Sequence, residues 1–143
     1  MRLYIAGPMT NIPQFNVPLF DAVAAKLRSQ GHEVINPAEE DSPAVRAAAL
    51  ASATGDAKDL LPTGETWGDL LARDVKIVAD DVEGVVLLPG WTNSRGAKLE
   101  AYVAVLCRKP LHFWYPESQT ADWVSPIHVM AAIHHFTVEG ILE

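Results

Sequence analysis

Short apolar runs alternate with longer stretches in which apolar positions recur every third or fourth residue, and this alternation predicts a β–α repeat. Arg2-Leu3-Tyr4-Ile5-Ala6 reads as a buried first strand, stopped by the turn residues Gly7-Pro8. From Val17 to Gln30 the residues Leu19, Phe20, Val23, Ala24 and Leu27 fall at helical spacing; Pro18 suits the first turn and Gly31 the stop after the last. Glu33-Val34-Ile35 makes a second strand, closed by Asn36-Pro37. Strand, helix and strand within about 35 residues form a right-handed parallel βαβ unit.

The pattern then loosens. Residues 38–65 hold an Ala-rich run, Pro43 to Ala53, predicted as helix, followed by Thr54-Gly55-Asp56 and Pro62-Thr63-Gly64. A connection of this length is expected to be a functional lid or an insert. Thr66 with Asp69 resembles a capping box, and Leu70, Leu71, Val75, Ile77 and Val78 form the apolar stripe of the helix it opens. Gly84 to Leu88 is a third strand, apolar on both faces. A helix from Ala97 to Arg108 and a strand from Pro110 to Tyr115 follow. After Pro116 the chain is polar up to Pro126; Ile127 to Phe136 reads as a last helix and Val138 to Leu142 as a tail that packs or pairs. The expected fold is α/β: a flavodoxin- or Rossmann-like three-layer sandwich with a four- to five-stranded parallel sheet, one domain over residues 1–143.

Composition narrows the partners. The 143 residues carry a net charge of −7, which disfavours a nucleic-acid polymer or an anionic membrane as the main partner and leaves a small molecule. The single cysteine, Cys107, excludes an internal disulfide and is expected to be buried in a helix face. With no apolar run of membrane length and no signal-peptide pattern ahead of the first strand, a cytoplasmic location is expected.

The chemistry-bearing stretch runs from Leu87 to Ala104: a buried strand, a loop of small and polar residues, then a helix with Glu100 about one turn in. In a parallel sheet the carboxyl ends of strands and the amino ends of the next helices form the ligand crevice, where free N–H groups favour anions. Ser94 and Gly96 offer a hydroxyl and a close backbone approach. The first loop adds Gly7, Pro8, Met9 and Asn16, the second strand's end adds Asn36, and Trp91 and Asn93 precede Ser94. Neither HExxH nor a cysteine pair is present, the five histidines are scattered, and no P-loop, GxGxxG or GxSxG occurs, so no metal and no cofactor is expected. Carboxylates remain: Glu100, and Asp74 beside the apolar stripe of its helix. Each also has an ordinary explanation, Glu100 as an acid in an early helical turn and Asp74 as an ion-pair partner of Arg73 or Lys76. Two carboxylates meeting at a phosphate-friendly loop suit cleavage of an N-glycosidic bond, one attacking the anomeric carbon and the other managing the departing base.

Tyr4-Ile5-Ala6-Gly7-Pro8-Met9-Thr10, Gly31 to Pro37, Trp67 to Asp74, and Leu88-Pro89-Gly90-Trp91 with Ser94-Arg95-Gly96-Ala97 and Glu100 resemble, in order and spacing over residues 3–115, the DUF4406 group of the nucleoside 2-deoxyribosyltransferase-like superfamily. The resemblance implies a flavodoxin-like fold, a homodimer or dimer-based oligomer, a nucleophilic Glu at Glu100 and an assisting Asp at Asp74. In that superfamily the sixth residue before the Glu is an acid in transferases acting on nucleosides and a serine in 2′-deoxynucleoside 5′-monophosphate N-hydrolases. Ser94 therefore implies a nucleotide 5′-phosphate as substrate. Ala101-Tyr102 after Glu100 departs from the hydrolases' usual sequence. Deoxyribosyl transfer between bases is the near alternative, followed by a catalytically silent nucleotide-binding module. The phosphoribohydrolase pattern PGGxGTxxE is only loosely echoed.

Overall fold

Side chains alternate along each central strand, so one strand feeds two cores. In β1 (Arg2–Ala6), Leu3 and Ile5 pack on one face of the sheet, Tyr4 and Ala6 on the other. β3 (Gly84–Leu87) divides the same way: Val86 faces α1 (Val17–Ser29), whereas Val85 and Leu87 face α4 (Trp67–Asp80), α5 (Arg95–Leu106) and α6 (Pro126–Leu142). The result is a three-layer α/β sandwich. The computed structural model describes residues 1–142. Among them no helix is long and apolar enough to cross a membrane.

The sheet order is β2-β1-β3-β4-β5, with β2 at Glu33–Ile35, β4 at Leu111–Tyr115 and β5 at Thr120–Val124. β1 to β4 pair in parallel, as expected. β5 corrects the polar loop expected after Pro116: it pairs antiparallel to β4 through a turn in which Gln119 has φ 56°. Its Thr-Ala-Asp-Trp-Val sequence escaped the strand pattern because it is an edge strand with Trp123 64% exposed. The strand order reverses between β1 and β3, which places a crevice at their carboxyl ends.

Three helical expectations shift. α5 starts at Arg95, two residues early, because the Ser94 side chain caps it by accepting from Ala97 N at 3.1 Å. It also ends at Leu106, so Cys107 is an exposed C-cap residue rather than a buried core thiol. α6 runs on to Leu142 and absorbs the expected tail, Gly140 notwithstanding.

Residues 38–65 fold into short helices laid against the first loop. Asn36 caps α2 (Pro37–Glu40), its Oδ1 accepting from Ala38 N, and Ser42 caps α3 (Pro43–Ala51), its Oγ accepting from Val45 N. Asn11 N donates to Gly55 O and Gln14 N to Ser52 O, each at 2.8 Å, tying this segment to the first loop. Gly55 is fixed by both φ (+75°) and space: a Cβ there would lie 2.1 Å from the Ile12 carbonyl oxygen. The loop itself makes a left-handed turn at Gln14, Phe15 and Asn16 (φ 57°, 51° and 61°), a conformation that costs roughly 1–2 kcal/mol per non-glycine residue. Burial of Phe15 in the α1-side core and donation from Asn16 Nδ2 to Pro8 O at 2.9 Å hold the turn in place.

Candidate active site

Glu100 lies one turn into α5 on the face turned to the sheet and is 6% exposed. Across from it Tyr4, fully buried in β1, donates its hydroxyl to Glu100 Oε2 at 2.5 Å. Burial, reinforced by the nearby Asp74 carboxylate, pushes the Glu100 carboxyl up to about 8; the Tyr4 hydrogen bond and the Arg73 charge pull the other way. The Tyr4 phenol is raised well above its ordinary value, first by burial and then by the charges of Glu100 and Asp74. Its proton stays on Tyr4, and the group acts as a fixed donor.

Asp74 enters from α4. Arg73 Nε and Nη2 both lie 2.8 Å from its Oδ1, while Arg73 Nη1 reaches Asp41 Oδ1 at 2.7 Å and Nη2 donates to Pro37 O. One guanidinium thus clamps the end of α2 to the centre of α4. Burial raises the carboxyls of Asp74 and Asp41, and Arg73 opposes the rise in both. The Tyr4 hydroxyl also favours the charged form of Asp74. Two environments result: Asp74 carries an ion-pair partner, whereas Glu100 is buried with a neutral donor and holds its proton at neutral pH.

These groups line a cavity of about 450 Å³ at the β1/β3 reversal. The first loop supplies Gly7, Pro8 and Met9; residues 38–65 supply Asp41, Val45, Ala49, Ala57 and Leu60; the start of α5 supplies Ser94, Arg95 and Gly96. Gly7 is required by space, since a Cβ would come within 2.8 Å of Leu88 Cβ. Gly96 is different. A Cβ there would meet no protein atom nearer than 3.9 Å, so its bareness leaves room on the cavity side. At the mouth the Arg95 guanidinium lies over the Trp67 ring, its Cζ 5.4 Å from the ring centroid, and Trp67 is 55% exposed.

Of the residues singled out in the sequence, Glu100, Asp74, Ser94, Gly96, Gly7, Pro8, Met9 and Asn93 meet at this cavity. Asn16, Asn36 and Trp91 do not line it. Asn16 braces the first loop, Asn36 is buried and donates to Asp21 at 2.9 Å besides capping α2, and Trp91 is a core residue packed near Phe113. Sequence reasoning missed Tyr4, which reads as one more apolar strand residue, and Asp41, whose partner is distant in sequence. It named Arg73 only as an ion-pair partner of Asp74. Among the described residues no group of three or more His, Cys, Asp or Glu is arranged to hold a metal ion.

The model of the domain of unknown function DUF4406 matches residues 1–113, most of the chain and all of this cavity. The chain belongs to the DUF4406 family. Comparisons with curated proteins and with solved structures give no match. The match ends inside β4, so the hairpin to β5 and the whole of α6 lie beyond the DUF4406 region.

Proposed function

We propose that this DUF4406 protein hydrolyses the N-glycosidic bond of a (deoxy)nucleoside 5′-monophosphate, with Glu100 as the nucleophile. The observation that carries the reading is the pairing of a buried Glu100, held by Tyr4, with an ion-paired Asp74 in one cavity. The sequence resemblance to the deoxyribosyltransferase-like superfamily agrees with it.

The proton count fits. Burial favours the protonated form of Glu100 up to about pH 8, the Arg73 charge favours the ionised form of Asp74, and the reaction needs one ionised and one neutral carboxyl. Moving that proton to Asp74 as substrate fills the cavity frees the Glu100 carboxylate to attack the anomeric carbon. The C1′–N bond breaks, its electron pair goes to the base, and the base takes the proton from Asp74. Asp74 then deprotonates a water that attacks the same carbon, Glu100 leaves as carboxylate, and the free base and phosphorylated sugar depart. Tyr4, as a fixed donor to Glu100 Oε2, stabilises the carboxylate before attack and as it leaves. Ser94, Arg95 and Gly96 line the cavity at the start of α5, and a hydroxyl with first-turn N–H groups suits the 5′-phosphate.

The same resemblance implies a homodimer, and exposed Leu106, Ile127 and Phe136 on α5 and α6 are compatible with one. A nucleotide substrate fits a cytoplasmic location. The reading is tested by incubating the protein with ribo- and deoxynucleosides and their 5′-monophosphates, with and without a second base, and following free base by chromatography. Release from a monophosphate without an acceptor supports hydrolysis. Release only with a second base present makes the protein a transferase, and binding without release makes it a silent nucleotide-binding module.

A further inference from the structure

We infer that Arg95, held against Trp67, is the specificity element that makes the site select an anionic, ring-bearing ligand over its neutral counterpart. The inference rests on the nucleotide reading and adds the residues that would enforce it. The charges lining the cavity are Asp41, Asp74, Arg73, Arg95 and, when ionised, Glu100. Arg73 is consumed by its two carboxylates at 2.7 and 2.8 Å. Arg95 makes no ion pair among the described residues and is exposed at the mouth, with its Cζ 5.4 Å from the centroid of the Trp67 ring.

Among the described residues that leaves Arg95 as the one cation lining the cavity whose guanidinium makes no hydrogen bond or ion pair. A guanidinium held over an indole by a cation–π contact is positioned without spending its N–H donors, so its planar fork stays free for a doubly charged phosphate. Lys98, the other cation near this loop, does not line the cavity: its Nζ lies 3.4 Å from Thr137 Oγ1 in a groove between α5 and α6, and Arg95 alone lines both that groove and the cavity. Trp67 and Arg95 stand at the first positions of α4 and α5, so the pair also spans the mouth between the helix carrying Asp74 and the helix carrying Glu100. Its exposed ring face offers a stacking surface for a base.

The test is titration calorimetry at fixed salt, with the four common deoxynucleoside 5′-monophosphates and their nucleosides as probes, in a Glu100→Gln background that holds ligand without turnover. The background binds at least one monophosphate more tightly than its nucleoside. Arg95→Gln lowers monophosphate affinity about ten- to thirtyfold and changes nucleoside affinity less than about twofold. Arg95→Lys restores part of the preference, and Trp67→Leu weakens it by a smaller factor than Arg95→Gln. Unfolding midpoints close to that of the background establish that the variants are folded. A monophosphate preference that survives Arg95→Gln intact overturns this inference alone. Failure of every monophosphate to bind overturns the inference and the nucleotide reading together.

Discussion

Tyr4 and Glu100 stand 96 positions apart in the chain and meet in a 2.5 Å hydrogen bond between β1 and α5, beside the sheet's reversal point. The bond joins a donor that keeps its proton to a carboxyl that burial holds protonated to about pH 8.

Tyr4→Phe keeps the ring and its packing and removes the donor. Because the hydrogen bond lowers the Glu100 pKa, its loss moves that group further up, visible in a carboxyl-carbon NMR titration. Turnover falls about ten- to a hundredfold, the worth of a hydrogen bond to a charged group. An unchanged titration would separate Tyr4 from the chemistry.

Much of this arrangement was legible in the residues, and the reasons for the exceptions are physical. Apolar runs bounded by Gly and Pro located β1 to β4, and the spacing around Ser94 and Glu100 located the crevice. Tyr4 was hidden because a strand core position and a site position look alike in sequence when the residue has both an apolar ring and a polar tip. The Asp41–Arg73 contact was hidden because it joins residues 32 apart through a segment without a clear period. Trp91 misled in the opposite direction: it follows Gly90 at the crevice, but the turn it starts sends its ring into the core.

Glu100 also leaves its mark on stability. Its folded-state pKa lies above its unfolded value of 4.5, so between about pH 4.5 and pH 8 the folded chain binds a proton that the unfolded chain releases. This contribution favours the fold at the acid end and is lost as pH rises toward 8. Glu100→Gln removes the dependence. In paired thermal or urea melts the variant is more stable than the parent at pH 8, and the gap narrows toward pH 5. A gap independent of pH would show that the carboxyl is not held protonated.

A pair that must hold one proton gives a two-sided rate profile. kcat/KM falls above about pH 8 as Glu100 loses the shared proton and falls on the acid side as Asp74 takes up a second. Arg73→Met raises the Asp74 pKa and carries the acid limb to higher pH. An acid limb that stays in place would detach Arg73 from the chemistry.

Arg73→Met also strands two carboxylates whose side chains are only 10% and 14% exposed. With the guanidinium 27% exposed, the expected cost is about 2–3 kcal/mol, below that of a fully buried pair, measured as a lower urea midpoint. Asp41→Asn costs less, because Arg73 keeps Asp74. Equal costs would contradict a clamp centred on Arg73.

The glycines separate fold from site. Gly7→Ala places a methyl group 2.8 Å from Leu88 Cβ and lowers stability by about 1–3 kcal/mol. Gly96→Ala meets only ordinary contacts at 3.9 Å, so the melting temperature holds or rises while nucleotide affinity drops as the methyl group enters the cavity. Undiminished affinity in Gly96→Ala would place the ligand away from the start of α5.

The most direct measurement is free-base release from the nucleotide panel by the parent protein beside Glu100→Gln. Free base is expected from at least one 5′-monophosphate without an acceptor base, with release reduced by roughly a thousandfold or more in Glu100→Gln, which still binds that nucleotide. Release at an undiminished rate in Glu100→Gln, or no release from any member of the panel by the parent, would contradict hydrolysis through Glu100.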